Sequence, residues 1–405
     1  MQRSTVFGSV LSPLDDGVRW EPDSSLTWQD EFLVSGAPGR TEQIEGLDGD
    51  ELLLIPGLVD AHVHLPQYRV RGQFQDALLP WLRESIWPEE ARFRDESYRR
   101  MVSREFRDGM IAAGTTAAVV YGSPHEESAF SVLEDLAPLE IRGGDVLMDR
   151  NSPDDLVRTT DEALESARSH AKRWSGRYAL TPRFVPTCTS DLLKGLGAIA
   201  AAGDVFVQSH VAENLDEVAW VANLHPEARS YLDVYDTQGL LGPRTILGHG
   251  IHLDDVDLAR LVSTGTWIAH CPTSNVALGS GRMPYGAMNA QGVRIALASD
   301  VGAGPDLSML DVMRCFLEVQ RDEPGVTPTL ALRLATLCGA TAMGEGGRRG
   351  TLQAGRIADF VGLRLPGGPR RGESADDALQ RVLGTFAGRW TEAIAAVWIR
   401  GQRVG

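Results

Sequence analysis

The sequence predicts an α/β fold, and two features of the chain favour this class. Short runs of small apolar residues recur eight times between Gly57 and Gly302, and stretches with helical periodicity separate several of them. Strands that alternate with helices pair in parallel, and eight such units close a (β/α)8 barrel, also called a TIM barrel. A doubly wound open sheet is the competing topology, but such sheets usually stop at about five to seven strands.

The eight predicted strands are short apolar runs bounded by glycine or polar residues, as is typical of buried parallel strands. Amphipathic helical periodicity lies between several of them, for example over Glu96 to Ala113, Asp161 to Trp174 and Asp254 to Val262. The eight runs are GLVDAHVHL, GTTAAVVYG, GDVLMD, YALTPRF, VFVQSHVAEN, TILGHGIHL, WIAHCPTSN and RIALASDVG.

The two ends of the chain resemble each other and differ from the middle. Residues 1–55 alternate short apolar runs with Gly, Pro and Asp, which predicts small antiparallel strands. A helical pattern, LALRLATLCGATAMG, follows Thr327, and short strands return in GTLQAGRIADFVGLRLPGG and AIAAVWIRGQRVG. We therefore expect residues 56–349 to form the barrel, and residues 1–55 with 350–405 to form a small β-sandwich-like domain. The stretch Pro366 to Gly372 reads as an exposed turn.

The charge of the chain argues against several classes of partner. The formal net charge is −16, from 39 basic and 55 acidic residues. A nucleic-acid-binding surface normally carries a basic stripe, so no nucleic-acid partner is expected. The same excess of acidic residues disfavours attachment to an anionic membrane. The composition therefore indicates a small-molecule ligand.

Lysine and cysteine usage narrows the chemistry further. The chain has two lysines, Lys172 and Lys194, and no Gly-Lys dipeptide, which excludes a P-loop. Neither lysine lies in a context typical of Schiff-base or pyridoxal-phosphate chemistry. The four cysteines form no C-x-x-C pair, and the N-terminus lacks the long apolar core of a signal peptide. We therefore expect a reduced, cytoplasmic protein.

Histidines at the ends of predicted strands indicate a metal site. His62 and His64 end the first strand, and His210 and His249 lie at the ends of the fifth and sixth. Side chains two residues apart on a strand share a face, and the C-terminal rim of a barrel holds its active site. A single strand-end histidine is usually structural, but three such clusters followed by Asp300 at the eighth strand are specific. Imidazole nitrogens with one carboxylate suit zinc or iron.

Several motifs resemble those of the amidohydrolase superfamily, namely PGLVDAHVHL, QSHVAEN, LGHGIHL, AHCPTSN, ALASDVG and GRIADFV. Within it, the chain is similar to the guanine deaminase branch in PGLVDAHVHLPQY, LLPWLRESIWPEEARF, TPRFVPTCT, VQSHVAENLDEV, HCPTSNVALGSG and SDVGAGPDLSMLDVMR. The likeness runs from about Pro56 to Arg314 and returns in the last segment. It implies a metal-dependent hydrolase that converts guanine to xanthine and ammonia, and a homodimer.

The resemblance implies one metal ion, Zn²⁺ or alternatively Fe²⁺. Its ligands would be His62, His64, His210 and Asp300. His249 would lie beside this site and orient water. Some relatives hold two ions bridged by a modified lysine after the fourth strand, but TPRF stands there and offers no lysine.

The catalytic residues implied are Glu213, Asp300 and His249. Metal-bound water has a pKa lowered to about 7, so that hydroxide is available as a nucleophile. Asp300 would take the proton of the water, and Glu213 would protonate the ring. An isolated glutamate is usually a solvated surface residue, but Glu213 follows His210 by three positions.

The substrate contacts combine donors and acceptors with an aromatic ring. Gln67 offers both a donor and an acceptor, Arg183 offers a donor fork, and Phe184 could stack on a planar ring. From residue chemistry alone, TPRF could equally be a strand end with a salt-bridged Arg183 and a core Phe184. The full set implied by the resemblance is His64, Gln67, Arg183, Phe184, His210, Glu213 and Asp300. Trp81 and Trp87 are candidates for the pocket or the core, His270 for shaping the site, and His125, His170, His225 and His252 for structural roles.

Two departures from the guanine deaminase pattern leave the substrate open. Ala61 stands where Thr is common, and GAGPD stands where a more Gly/Ser/Thr-rich stretch often follows the aspartate of the eighth strand, here Asp300. A deaminase of a modified purine, a pterin or an s-triazine is therefore an alternative, as is a ring-amide hydrolase. A barrel that has lost catalysis is a third, although every expected ligand is present. The H-x-E and P-C-x-x-C signature of cytidine-deaminase-type enzymes is absent.

Overall fold

The chain has mixed α/β structure in its computed structural model, which describes residues 3–45, 47, 51–73 and 78–405. The strands are β1 (Arg3–Leu14), β2 (Gly17–Gln29), β3 (Phe32–Leu33), β4 (Arg40–Thr41), β5 (Leu52–Pro56), β6 (Leu58–His64), β7 (Thr115–Tyr121), β8 (Glu140–Gly144), β9 (Val146–Leu147), β10 (Ala179–Pro182), β11 (Phe206–Val211), β12 (Thr245–His249), β13 (Trp267–His270), β14 (Arg294–Leu297), β15 (Phe360–Arg364), β16 (Ile394–Ile399) and β17 (Gln402–Arg403).

The helices lie between the strands of the central region and after it. The α-helices are α1 (Leu78–Trp81), α2 (Trp87–Ala91), α3 (Glu96–Ala112), α4 (Ser128–Leu133), α5 (Thr160–Arg173), α6 (Ser190–Ala202), α7 (Leu215–Leu224), α8 (Tyr231–Thr237), α9 (Asp255–Thr264), α10 (Pro272–Ala277), α11 (Tyr285–Gln291), α12 (Met309–Val319), α13 (Pro328–Arg333), α14 (Gly339–Ala342), α15 (Ala375–Thr385) and α16 (Trp390–Ala393). The three helices predicted from periodicity are confirmed as α3, α5 and α9, with ends shifted by one or two residues.

The central strands form parallel pairs, as the alternation of strands and helices predicts. One sheet has the order β14-β13-β12-β11-β10-β9, and each pair in it is parallel. A second sheet has the order β6-β7-β8. A parallel bridge joins Gly143 of β8 to Tyr178, just before β10. After β14, the amide of Asp300 donates to the carbonyl of His62 at 2.9 Å, and that of His64 donates to Val301 at 2.9 Å.

The prediction for the third central strand was wrong about where this strand begins and ends. The sequence predicts one strand in GDVLMD, whereas the structure has β8 and then β9, separated by Asp145. Gly143 and Gly144 look like turn residues in the sequence, but they allow close approach between strands. A Cβ at Gly143 would lie 2.2 Å from the carbonyl oxygen of Val120, and one at Gly144 would lie 2.5 Å from that of Ala179.

Strands from both chain ends meet in a third sheet, which has eight strands and is largely antiparallel. Its order is β17-β16-β15-β5-β1-β2-β3, with β4 beside β1. The register between β15 and β5 places Phe360 opposite Pro56. Packing in its core includes the rings of Phe360 and Trp398, which stack at 4.5 Å, with Trp28 at 5.3 Å from Phe360.

The N-terminal strands are longer than the small strands predicted from the sequence. β1 and β2 have 12 and 13 residues and form one antiparallel hairpin. Glycine and proline read as punctuation in the sequence, but Gly8 and Pro13 lie within the paired register, which shifts between Gly8 and Val10. Residues 1, 2, 46 and 48–50 of the predicted strands lie outside the described residues.

The C-terminal helical pattern is confirmed, although it is not a single regular helix. α13 continues into a π-helical turn over Leu334–Cys338 and then α14. The chain turns between β15 and α15, where the exposed turn was predicted, and Arg370, Arg371 and Gly372 are exposed there. No helix among the described residues is long and apolar enough to cross a membrane.

Contact density divides the chain into two compact units. The first comprises Met1–Asp60, Asp108–Ala117 and Leu307–Gly405, and the second comprises Ala61–Arg107 and Ala118–Asp306. Every residue selected from the sequence as a metal ligand, catalytic group or substrate contact lies in the second unit. The predicted domain boundaries, 1–55 with 350–405 and 56–349, stay a prediction.

We expect Gly143→Ala to lower the free energy of unfolding by about 1–3 kcal/mol, because the added Cβ would overlap the backbone of β7. The measurement is chemical denaturation followed by circular dichroism. Gly384→Ala is the control, since Gly384 lies on the exposed side of α15 with no atom near the added Cβ. The control is expected to stabilise by about 0.5–1 kcal/mol. Equal stability of the Gly143 variant and wild type would contradict the assignment of close packing at this strand.

Candidate metal centre and active site

Three imidazole nitrogens and one carboxylate oxygen converge at the ends of β6 and β11 and after β14. Nε2 of His64 lies 3.2 Å from Nε2 of His62 and 3.2 Å from Nε2 of His210. Oδ1 of Asp300 lies 3.3 Å from Nε2 of both His62 and His64. The four predicted ligands therefore face one small space, and the donor atoms they offer lie within 4.8 Å of one another.

The spacing and protonation of these side chains fit a divalent cation. A tetrahedral zinc ion with bonds of about 2.0–2.1 Å places its ligand atoms roughly 3.3–3.4 Å apart. Burial lowers the pKa of His64 to about 4 and that of His210 well below its usual value. Nδ1–H of His210 donates to the carbonyl oxygen of Arg183 at 2.6 Å, so that Nε2 of His210 presents its lone pair to the cluster.

Backbone features at the strand ends make this convergence possible. A Cβ at Gly248 would lie 2.8 Å from Cε1 of His62, so glycine in β12 leaves room for that imidazole. Three residues near the site have positive φ angles without being glycine: Ala212 at 48°, His249 at 70° and Asp300 at 49°. Such conformations cost about 1–3 kcal/mol each and cluster at functional sites.

Two further side chains lie beside the cluster. Nε2 of His249 lies 3.5 Å from Oε2 of Glu213 and 3.7 Å from Oδ2 of Asp300. Nδ1–H of His249 donates to Oδ1 of Asn275 at 3.0 Å, which fixes the ring so that Nε2 faces the two carboxylates. The hydroxyl of Ser280 donates to Oε1 of Glu213 at 2.9 Å. Of the three predicted catalytic residues, His249 therefore lies beside both Glu213 and Asp300.

The pKa values of Glu213 and Asp300 are shifted in opposite directions. Burial raises the pKa of Glu213. Burial alone would also raise the pKa of Asp300, but the contacts from His62 and His64 hold it well below its usual range. Burial would lower the pKa of His249, yet the carboxylates of Glu213 and Asp300 raise it. The geometry thus pairs a carboxyl that binds a proton readily with one that stays ionised.

A pocket opens beside these groups, and its lining combines aromatic and aliphatic side chains with a few polar ones, as is common in small-molecule sites. The predicted substrate contacts Gln67, Arg183 and Phe184 line it together with Trp81. Trp87 is not among its lining residues and packs in the core against the cluster that contains Trp81. The complete lining is His64, Gln67, Trp81, Leu82, Arg183, Phe184, His210, Glu213, Glu217, His249, Asp300 and Ala303.

Two buried glutamates at the site were missed by the sequence analysis. Glu90 is 1% exposed and bonds both Gln67 and Arg183. Glu217 accepts the backbone N–H of Glu213 at 2.9 Å, and burial with the charge of Glu213 raises its pKa to about 7. The N-x-x-E spacing of a capping box at the start of α7 could have pointed to Glu217.

The remaining histidines and the sequence departures have other surroundings. His270 is buried at the end of β13, where burial and the charge of His249 lower its pKa to about 3. His125, His170, His225 and His252 are absent from the pocket lining among the described residues. Gly302, in the GAGPD region, lies against Gln67, since a Cβ there would be 2.7 Å from Oε1 of Gln67.

We expect Gly248→Ala to weaken metal binding by about 10- to 100-fold, because the added Cβ would displace the imidazole of His62. Metal content per chain, measured after dialysis against a series of chelator-buffered zinc concentrations, is the readout. Gly242→Ala is the matched control in the segment before β12, with no atom within 4 Å of its Cβ. Wild-type zinc affinity in the Gly248 variant would show that His62 does not depend on this space.

Comparison with known proteins confirms the resemblance seen in the motifs. The profile of the Amidohydrolase family matches residues 53–404. The guanine deaminase of Escherichia coli K12 is 33% identical over 384 residues, which cover 93% of this chain and 87% of that protein. A probable guanine deaminase of Deinococcus radiodurans is 36% identical over 436 residues, which cover 98% and 97%.

Solved structures agree with the sequence matches. The E. coli guanine deaminase superposes with a TM-score of 0.91 at 28% identity, covering 100% of this chain and 99% of that one. A guanine deaminase from C. acetobutylicum with bound guanine superposes with a TM-score of 0.88 at 26% identity and covers 100% of both chains. These neighbours have the TIM-barrel type of fold. The chain belongs to the metal-dependent Amidohydrolase family.

Proposed function

We propose that this chain catalyses the hydrolytic deamination of guanine to xanthine and ammonia. The observation that carries the proposal is one pocket whose lining combines His64, His210 and Asp300 of the four-residue cluster with Glu213 and the pair Gln67 and Arg183. Guanine deaminases at 33% and 36% identity over nearly the whole chain support the same reaction. In it, a water oxygen adds to the ring carbon that carries the amino group, and that C–N bond then breaks.

One divalent ion is proposed at the cluster, held by His62, His64, His210 and Asp300. When bound, such an ion supplies the Lewis acidity that makes water a nucleophile near neutral pH. The donor set of three imidazoles and one carboxylate suits zinc and also admits iron. Arg183 lies in the region where a bridging lysine would be needed for a second ion, which supports a single ion.

Asp300 is proposed to accept the proton released by the attacking water and to pass it to the amino group, which then leaves as ammonia. Its Oδ1 faces His62 and His64, whereas its Oδ2 accepts a hydrogen bond from Ser274 at 2.6 Å and faces Nε2 of His249. One carboxylate can thus serve as a ligand through one oxygen and handle a proton at the other. His249 orients the water through Nε2, because Asn275 fixes its ring.

Glu213 is proposed to carry a proton to the ring nitrogen next to the attacked carbon. Protonation there makes the carbon more electrophilic, and this step needs a carboxyl that holds a proton near neutral pH. Burial raises the pKa of Glu213 in the required direction. The Ser280 hydroxyl fixes Oε1, so that Oε2 is the oxygen available for transfer.

The far wall of the pocket is proposed to bind the heterocycle. Gln67 and Arg183 offer hydrogen bonds to its edge, and Phe184 and Trp81 offer apolar surface to its faces. His64, His210, Glu213 and Asp300 would contact the end of the ring that carries the amino group. The exclusion of water from this buried pocket strengthens each of these polar contacts.

The finer features of the fold and assembly also remain proposals. Backbone hydrogen bonds join β6 to the segment after β14, from Asp300 to His62 and from His64 to Val301. These bonds support closure of the nine central strands, β6 to β14, into a (β/α)8 barrel. The sheet shared by both chain ends supports a small β-domain formed by residues 1–55 and 350–405. The four cysteines form no disulfide among the described residues, which supports a reducing compartment such as the cytoplasm. A homodimer and the absence of a nucleic-acid partner follow from the resemblance and the charge.

The proposal is tested by ammonia release from the zinc-loaded chain with guanine, adenine, cytosine, 8-oxoguanine, isoguanine, a pterin and melamine. We expect clear preference for guanine, with xanthine as the product. Turnover of another ring in place of guanine would overturn the substrate and retain the reaction type. Ring opening without ammonia, detected by product analysis, would instead indicate a ring-amide hydrolase.

We expect Glu213→Gln to retain the metal and to lower kcat for guanine by about 100-fold or more, since the amide cannot deliver a proton. Metal content and steady-state kinetics are measured on the same preparation. Near-wild-type kcat in this variant would remove Glu213 from the proton-transfer role.

His210→Ala is expected to lose bound metal and activity together, because it removes one of the four converging ligands. The two variants therefore separate metal binding from proton transfer. Full metal content with loss of activity in His210→Ala would assign this histidine a role other than ligation.

A further inference from the structure

The buried carboxylate of Glu90 connects Gln67 and Arg183, the two polar residues of the pocket wall that is proposed to bind the heterocycle. This wall is called the substrate wall below. Oε1 of Glu90, in α2, accepts a hydrogen bond from Nε2 of Gln67 at 3.0 Å. Oε2 of the same side chain accepts one from Arg183 at 2.6 Å. The exposed fractions are 1% for Glu90, 2% for Gln67 and 4% for Arg183. These bonds are therefore shielded from water and are strong.

The bond to Glu90 determines which end of the Gln67 amide faces the pocket. An ionised carboxylate only accepts hydrogen bonds, so the NH₂ group of Gln67 must be the end that meets Glu90. The carbonyl oxygen, Oε1, then points to the other side. Gly302 permits this position, since a Cβ there would lie 2.7 Å from Oε1 of Gln67. Gln67 consequently presents an acceptor, although the side chain in isolation could present either group.

The same carboxylate sets the charge of this wall. Arg183 uses one terminal nitrogen on Glu90 and retains other N–H donors along its planar fork. The charges of Arg183 and Glu90 cancel, so the pair is neutral. Glu213 and Glu217, which also line the pocket, are acidic and add no positive charge to this wall. A ligand therefore meets an acceptor beside a donor, with no net cation behind them.

We propose that Glu90 is a positioning residue that makes this wall specific for a neutral lactam edge. In such an edge an N–H donor lies beside a C=O acceptor, which complements Oε1 of Gln67 and the donors of Arg183. Ring anions are disfavoured because Glu90 cancels the charge of Arg183. The inference rests on the proposed function for the identity of the ring, and it adds the residue that decides the protonation state accepted.

Glu90→Gln tests the charge while nearly preserving shape. Binding is measured by calorimetry on the metal-loaded chain with hypoxanthine, a neutral lactam that has no exocyclic amine to lose, and with urate, an anion near neutral pH. The variant leaves Arg183 unpaired, so we expect urate to gain about 10-fold or more in affinity relative to hypoxanthine. Glu90→Asp retains the charge and is expected to keep the urate-to-hypoxanthine ratio near that of wild type.

The adjacent glutamate provides a matched control. Glu89 is also buried, at 5% exposed, but its carboxylate bonds Tyr98 and Arg92 and not the pocket residues Gln67 and Arg183. Glu89→Gln is expected to leave the urate-to-hypoxanthine ratio unchanged. An equal shift in both variants would overturn the inference, because the effect would then follow from a general disturbance of α2.

Kinetics with guanine supply a second readout. We expect Glu90→Gln to raise KM by about 10- to 100-fold with kcat within a few-fold of wild type and with unchanged metal content, because the variant loosens ring binding without touching the reacting groups. If Glu90→Gln fails to fold, Arg183→Gln serves as a second variant, and it is expected to change the urate-to-hypoxanthine affinity ratio in the opposite direction. It leaves Glu90 unpaired and should lower the affinity for urate relative to hypoxanthine. An unchanged ratio in a folded, metal-loaded variant overturns the inference.

Failure of this inference and failure of the proposed function are distinguishable. A wild-type chain that does not deaminate guanine, combined with the expected ratio shift, overturns the reaction and retains the role of Glu90. Guanine deamination by the wild-type chain, combined with no shift of the urate-to-hypoxanthine ratio in Glu90→Gln, retains the reaction and overturns the role of Glu90. Binding of neither hypoxanthine nor urate to the loaded wild-type chain overturns the inference about Glu90, and ammonia release from guanine then decides the reaction by itself.

Discussion

The site depends on holding four lone pairs together in a buried space. Nε2 atoms only 3.2 Å apart, with a carboxylate oxygen 3.3 Å from two of them, repel one another unless protons or a metal cation lie among them. Such an arrangement cannot form from the local preferences of the chain, because its members come from β6, β11 and the segment after β14. The surrounding structure must therefore impose it.

The backbone around the cluster shows how it is imposed. The period of two in β6 places His62 and His64 on one face, and their backbone groups bond the amide of Asp300 and the carbonyl of Val301. Asp300 itself adopts a positive φ, and Gly248 leaves the space that the ring of His62 occupies. Paired strands resist displacement, so they can hold these unfavourable local conformations, and the cost of the strain is offset by packing elsewhere.

The sequence revealed the parts of this arrangement that follow from local rules. Strand ends carrying histidine, the H-x-H spacing and the order of the strands were readable, because side-chain alternation and strand–helix alternation are local patterns. Glu90 was not readable, since its partners Gln67 and Arg183 lie 23 and 93 positions away. An isolated acidic residue in a helical stretch is usually solvated, and nothing local separates Glu90 from its neighbour Glu89.

The same distinction explains the errors in the fold. The break between β8 and β9 and the length of the N-terminal hairpin both depend on glycines whose role is set by a neighbouring strand. Gly143 looks like a turn residue until the carbonyl of Val120 is placed beside it. Gly8 likewise lies within a paired strand rather than at its end. Local propensity assigns glycine to turns, whereas tertiary approach assigns these glycines to strands.

The pocket combines two walls with different electrostatics, and the proposed reaction requires both. At the metal side, contacts with imidazoles hold the pKa of Asp300 below its usual range while burial raises the pKa of Glu213, so that the proposed proton acceptor and the proposed proton donor are shifted in the directions their roles require. At the opposite side, Glu90 pairs with Arg183, and in the proposed role this leaves hydrogen-bond direction, and not net charge, to select the ring. A cationic wall there would favour ring anions, which resist attack by a nucleophile. Neutrality at the binding wall would therefore support the chemistry at the metal wall, although the Glu90 carboxylate that provides it bonds Gln67 and Arg183 and not the proposed metal ligands or proton carriers.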